Sequence, residues 1–392
     1  MSDCLAFYGI DKDFFAEKGC ENTSAEIAQQ PRVWRELGDM LLGRKNDIAA
    51  FLEKTNGDSQ LRVVLTGAGS SGFVGDAVAA LAAKSAGVRA ESVHTTDIVS
   101  DPRAHLFPDA PTLLVSFARS GNSPESAGAV KYARSIVKNL FEIAIVCDGT
   151  SNLYNMTAQS DKSMVLLMPE DSNDKGFAMT SSVSSMLLAG FALFNAGNIG
   201  GIVSDIASLS QNVAGSSLKF TAAASKWAEK DFDRIVYIGS GFLKHVAHEA
   251  SLKMMELTNG IVNGAFESAT GFRHGPKTVI NDKTLTVHMI SNDLFTAQYD
   301  MDLLNEVCKE KKQNVAISIG AEPAGGIPCD EAVAVPAEGY GVCADVCTGL
   351  QSLVFCQMLA MFKSMALGVG ADNPSPTGEV NRVVKGVTIY DF

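Results

Sequence analysis

The sequence predicts an α/β protein made of two tandem domains, each a mainly parallel sheet flanked by helices, with N-terminal helices and a C-terminal tail. Three observations carry this expectation. The chain has 392 residues, enough for two domains of ordinary size. From Leu61 onward, short β-branched runs alternate with helical stretches, the texture of parallel α/β units. The pattern also repeats. LRVVLTGAGSSG begins at Leu61 and DRIVYIGSGFLK at Asp233, a shift of 172 residues. LLVSF (from Leu113) and LTVHM (from Leu285) share that shift, as do EIAIV (from Glu142) and NVAIS (from Asn314). Three strands in register at one offset mean a duplicated domain, since solenoid repeats are about 20–50 residues long.

Taken in chain order, residues 23–54 carry apolar positions at helical spacing; Thr23 or Ser24 is placed to cap the start, and Pro31 to break the run into two helices. The expected division is a helical segment over 1–54, a first domain over 55–212, a second over 213–370 and a tail over 371–392. A helical linker is expected around 201–230. The apolar stretch 185–203 is interrupted by Asn195, Asn198 and glycines, which reads as a buried helix followed by a loop rather than a membrane span. The N-terminus lacks a basic region before an apolar block, so it does not read as a secretory signal.

Composition narrows the function. With 46% hydrophobic and 19% charged residues, the chain reads as a well-buried globular protein. A formal charge of −12 makes nucleic acid an unfavourable partner, and an anionic ligand needs a local site. The eight cysteines contain no CxxC pair, and Cys343 and Cys347 have no histidine nearby to complete a metal site. They read as reduced, buried thiols of a cytoplasmic protein with no metal and no cofactor.

Such a local site is legible in VSFARSGNSPES (115–126), which reads as strand, turn and helix. Ser123 fits the N-cap and Pro124 the first helical position. The helix start presents free N–H groups and a partial positive charge. Ser120 and Ser123 add hydroxyls, with Ser126 a further candidate; Gly121 allows close backbone approach and Arg119 offers its planar fork. Each charge-assisted contact is worth about 1.5–3 kcal/mol, so three or four hold a phosphate monoester. A second such loop, GAGSSGFVG (67–75), brings Ser70 and Ser71. Its Gly67, Gly69 and Gly72 also satisfy G-x-G-x-x-G, with Glu91 as the acid further on. The paired hydroxyls and the second loop favour a phosphate monoester over a dinucleotide. GFAMTSSVSS (176–185) is a third polar turn with two readings open: Thr180 as a ligand, or the cap of a core helix.

In the second half SNDLFTAQYD replaces the hydroxyl turn. Glu256 lies at the C-terminal end of a helix, where the dipole disfavours a carboxylate, and a base so tuned suits proton abstraction next to a carbonyl or imine. Alone, Glu256 and Lys253 also fit a surface pair, His274 in GFRHGP a solvated loop histidine, and the tail NRVVKGVTIY an edge strand. His245, His248 and Glu249 do not make HExxH and read as packing or surface residues.

Together, the two α/β halves, the serine-rich turn, HGP and the NRVVKGVTIY tail resemble the double sugar-isomerase (SIS) domain family. ARSGNSPES, FRHGP and DNPSPTGEVNRVVKGVTIY are similar to its galactosamine-6-phosphate deaminase/isomerase group, also labelled tagatose-6-phosphate ketose/aldose isomerases, over residues 23–392. The resemblance implies that Ser71, Ser120 and Ser123 contact the sugar's phosphate. Ala118, Arg119 and Met179 stand where the family has serine, glutamine and serine, while Thr180 and Ser181 match in type. It implies that Glu256 of the LK-x-x-E motif moves a proton between C1 and C2, with Lys253 as supporting charge. His274 would open the ring from the neighbouring subunit, which requires at least a homodimer. Lys385 would stabilise the enediolate or enolamine.

The implied substrate is a hexose or hexosamine 6-phosphate, and galactosamine 6-phosphate would give tagatose 6-phosphate and ammonia. Simple ketose–aldose isomerisation, deglycation of a sugar-phosphate amine and a non-enzymatic sugar-phosphate sensor remain as alternatives. Glu256, His274 and Lys385 together speak against the sensor. The hexose epimer depends on where Arg119, Thr180 and Glu267 point.

Overall fold

The computed structural model describes residues 3–55, 60–310, 314–321, 329–384 and 386–392. Three helices open the chain: α1 (Asp3–Tyr8), α2 (Lys12–Glu17) and α3 (Glu21–Thr55). α3 runs through Pro31 without the expected break. Proline cannot donate to the Ile27 carbonyl one turn back. The Gln30 side chain supplies the donor instead, its Nε2 lying 3.2 Å from the Ile27 oxygen and 2.8 Å from Gln357 Oε1. Thr23 and Ser24 do not cap the helix either, because it begins at Glu21. The Asp372 carboxylate accepts from the amides of Asn22 and Thr23, both at 2.8 Å, and from the Thr23 hydroxyl at 2.7 Å. A carboxylate there satisfies the first free N–H groups and the helix dipole together.

The first sheet contains β1 (Arg62–Thr66), β2 (Ala90–Ser92), β3 (Thr112–Ala118), β4 (Leu140–Val146) and β5 (Ser163–Leu167), all parallel, in the order β2-β1-β3-β4-β5. α4 (Ser70–Ala86) follows β1; α5 (Thr95–Ser100) and α6 (Pro102–His105) precede β3; α7 (Pro124–Ile136) and α8 (Asn152–Thr157) precede β4 and β5. Helices cover both faces, so every residue of β3 is buried, as its unbroken apolar run requires. On one face Val64, Leu114 and Ala144 pack with Ile98 of α5 and Ala129 and Ala133 of α7. On the other, α9 (Ser181–Phe194) presses Gly190 against Val78 and Phe117, leaving no room for a Cβ.

The loop expected after this buried helix is only a short 3₁₀ turn, Ala196–Asn198. The linker helix α10 (Ile199–Ala228) starts directly behind it. The Asn195 side chain holds that corner, donating to the Phe191 carbonyl at 2.9 Å and to Ser85 Oγ at 3.0 Å.

The second sheet repeats the first. β6 (Arg234–Ile238), β7 (Asn263–Glu267), β8 (Thr284–Met289), β9 (Val315–Gly320) and β10 (Glu331–Ala334) are parallel in the order β10-β9-β8-β6-β7, the first order read from the other edge. Helices α11 (Phe242–Leu257), α12 (Ala269–Phe272), α13 (Leu294–Lys309) and α14 (Ala344–Ala366) accompany it. Even the turn geometry is duplicated. Gly69 before α4 has φ 56° and ψ −132°, and Gly241 before α11 has φ 58° and ψ −129°, a conformation that needs glycine. α14 is long and apolar enough to span a membrane by length and composition, yet 94% of its apolar window is buried within the protein. It is a core helix packed on α11.

Packing divides the chain into two compact units. One holds the first sheet and comprises Val33–Asp174, Ser181–Val203 and Gly378–Phe392. The other holds the second sheet and comprises the residues up to Arg32, Lys175–Thr180 and Ser204–Thr377.

Candidate active site

In an open parallel sheet a ligand binds where neighbouring strands send their following loops in opposite directions. The order β2-β1-β3-β4-β5 puts that point at the carboxyl ends of β1 and β3, where Thr66 and Ser116 form the last pair between the two strands. The loops that part there are the two serine turns. Ser70 and Ser71 open α4, which no side chain caps, and both are buried. Ser123 caps α7 with Pro124 at the first turn, as its sequence foretells; Ser123 Oγ accepts from the Ser126 amide at 3.3 Å and lies 2.7 Å from Ser126 Oγ. Ser120 Oγ accepts from the Asn122 amide at 3.3 Å. Between them Gly121 has φ 59°, and a Cβ on it would fall 2.4 Å from Ser151 Oγ.

Arg119 is buried and turned to the chain's own tail: its Nη2 donates to the Arg382 carbonyl at 2.8 Å. Glu91 is held in a fork by Arg62 Nε and Nη2 at 2.8 and 2.6 Å, and that hydrogen-bonded cation keeps its carboxyl below the usual range. It is thereby engaged by the neighbouring strand and not displayed to a ribose. At the third turn, the amides of Ser181 and Ser182 donate to the Asp174 carboxylate at 3.0 and 2.9 Å, and the Ser182 hydroxyl at 2.5 Å. An internal carboxylate thus sits at the start of α9. Thr180 itself is fully buried.

At the matching point of the second sheet, between β6 and β8, a carboxylate of the protein takes two donors, one from the loop after each strand. Asp300 of α13 is 2% exposed and accepts from Ser240 Oγ at 2.5 Å and from the Ser291 amide at 3.0 Å. Burial raises its pKa above the ordinary value, against the two hydrogen bonds that lower it. A carboxylate of the protein fills the place that the first sheet leaves to the serine turns.

What α11 offers instead is a buried ion triad. Lys253 is buried; its Nζ lies 2.5 Å from Glu256 Oε2 and 3.3 Å from Glu249 Oε1. Burial alone would lower the pKa of this lysine, but the charges of Glu249 and Glu256 outweigh it and hold the pKa above the usual value. Lys253 is therefore an ammonium fixed in place. Glu256, in the last turn of α11, has a side chain 26% exposed, so one oxygen is anchored and the group remains accessible. Glu249, which its sequence presents as a packing or surface residue, is buried and completes the triad at the i,i+4 spacing from Lys253.

His274 is exposed on the turn after α12, its amide donating to the Gly271 carbonyl at 2.9 Å. His248 stacks on Phe266 with centroids 3.8 Å apart, a packing role as expected. Glu267 pairs with Lys244 at 2.5 Å and accepts from the Ser268 amide at 2.8 Å. Lys385 lies outside the described residues.

Residues 58–196 and 230–336 match the SIS domain family. The chain belongs to that family. The first SIS match takes in the whole first sheet with α9, and the second takes in the second sheet through β10. The chain is 39% identical, over 94% of its length and 92% of the relative's, to the D-galactosamine-6-phosphate deaminase AgaS of Shewanella sp. (strain ANA-3). It is 37% identical to the D-galactosamine-6-phosphate deaminase AgaS of Escherichia coli, over 94% and 96% of the two lengths. Among solved structures it superposes on the tagatose-6-phosphate ketose/aldose isomerase of Escherichia coli with a TM-score of 0.86 at 34% identity, covering 94% of this chain and 96% of that one.

Proposed function

We propose that this SIS domain protein is an enzyme that deaminates D-galactosamine 6-phosphate to D-tagatose 6-phosphate and ammonia. The observation that carries the sugar-phosphate reading is the asymmetry of the two switch points: hydroxyl turns at the first, the Asp300 carboxylate at the second. The choice of substrate is supported by the near full-length likeness to proteins named for that activity.

In this reading Ser70, Ser71, Ser120 and Ser123 take the phosphate with the amides of α4 and α7. His274 opens the pyranose ring by moving a proton between its oxygens. Glu256 removes the proton from C2 of the open aldehyde and returns it to C1, while Lys253 keeps the carboxylate in position. Lys385 stabilises the charge that develops on the enolamine. The product of the shift is a 2-imine; water adds to its carbon, and ammonia leaves as the ketone forms.

We further infer a homodimer in which His274, exposed in its own chain, serves the neighbouring subunit.

The test offers galactosamine 6-phosphate and glucosamine 6-phosphate separately and measures ammonia and ketose together. Ammonia and ketose in equal amounts, with the galacto epimer turned over faster, are expected. Ketose formed from galactose 6-phosphate without any ammonia from the amino sugars would favour simple isomerisation, the activity named for the Escherichia coli structure. Mixing His274→Ala with Glu256→Gln is expected to restore part of the activity that each lacks alone. No recovery would remove the shared histidine.

A further inference from the structure

The tail that carries Lys385 is pinned to the first-sheet unit on both sides of that residue. Before it, Arg119 Nη2 donates to the Arg382 carbonyl at 2.8 Å, and the Arg382 guanidinium donates to the Asp174 carbonyl. After it, the tail lies along α7. Ile389 covers Gly128, where a Cβ would come within 3.0 Å of Ile389 Cγ2. The Tyr132 hydroxyl donates to the Tyr390 carbonyl. Phe392 packs 5.6 Å from the Tyr132 ring and 5.0 Å from the Arg103 guanidinium.

These pins are unequal. Lys131 and Asp391 pair at 3.1 Å, but their side chains are 62% and 99% exposed, and such surface pairs contribute little. Arg119 is 7% exposed, and its guanidinium stays charged when buried and holds a fixed direction. It directly precedes Ser120, and α7 is the helix that Ser123 caps. One strand–turn–helix therefore presents the serine hydroxyls and grips the tail.

We propose that Arg119 is a positioning residue: it ties the carboxyl-terminal segment to the phosphate turn and acts on the reaction through that segment, not as a ligand of the phosphate. The inference rests on the deaminase reading above, and its test separates the two.

With galactosamine 6-phosphate, Arg119→Ala and Arg119→Lys are expected to lower kcat about tenfold or more while KM and inhibition by inorganic phosphate change little. Hydrogen exchange over residues 378–392 should speed up in both variants. In a Lys385→Ala background, adding Arg119→Ala should cost almost nothing further, because both changes remove the same contribution. Matched rises in KM and in the phosphate inhibition constant, with tail exchange unchanged, would overturn the proposal in favour of a direct phosphate ligand. Multiplying losses in the double variant would overturn it as well. If Arg119→Ala does not fold, Arg119→Lys retains the charge and carries the same comparison. Should the wild type release no ammonia from any amino sugar, the deaminase reading fails; tail exchange and phosphate titration still decide the role of Arg119.

Discussion

Lys253 shows how one side chain can serve stability and chemistry together. Its ammonium offsets the burial of Glu249 and holds one oxygen of Glu256, so the proposed base is oriented before substrate arrives. The spacing Glu249–Lys253–Glu256 on one helix made this pairing legible, because residues three and four apart meet on a helix face. The Arg119–Arg382 bond was not legible, since its partners are 263 residues apart and no local rule joins them.

A second buried cation-former behaves in the opposite way. His288 of β8 is fully buried, and burial pushes its pKa down to about 3. The unfolded chain takes up a proton near pH 6.5, the ordinary value, while the folded chain does not. The stability this residue contributes is therefore whole above about pH 6.5 and is lost as pH falls toward 3. Urea unfolding at pH 7.5 and 5.5 should show the wild type losing about 1.4 kcal/mol more than His288→Leu over that interval. Equal losses would mean that His288 is solvated in the native state.

At the scale of elements, local signals were reliable where the partners are near in sequence. Ser123 and Pro124 start α7 as a cap and first turn should, and the alternation of strands and helices gave the sheets. α3 departed from expectation because its donors come from elsewhere: Gln30 substitutes for the missing proline N–H, and Asp372 arrives from the other end of the chain to hold the helix start. Gln30→Leu, which leaves the Ile27 carbonyl without that donor and Gln357 without its partner, is expected to cost about 1–3 kcal/mol in urea denaturation. A change within ±0.5 kcal/mol, about the size seen at ordinary surface positions, would show that the helix needs no such repair.

At the scale of the whole molecule, duplication was the most legible property, because a repeat compares the chain with itself and needs no knowledge of packing. β6 and β8 begin 172 residues after β1 and β3, the offset read from the letters alone. What the letters did not reveal is why the copies differ in function. SNDLFTAQYD showed only that the hydroxyl turn was gone; that its final aspartate accepts from Ser240 and Ser291 at the same place required the geometry. Two copies of a phosphate-binding fold should therefore bind one phosphate monoester per chain. Calorimetric titration with tagatose 6-phosphate is expected to give a stoichiometry near one, and a value near two would place a ligand where Asp300 now lies.

The proposed deamination depends most on a carboxylate moving hydrogen between two sugar carbons. Ammonia release from saturating galactosamine 6-phosphate by Glu256→Gln, with folding checked against the wild type by circular dichroism, tests this directly. A fall in kcat of about 10²–10⁴-fold is expected. A folded variant that works at the wild-type rate would contradict it.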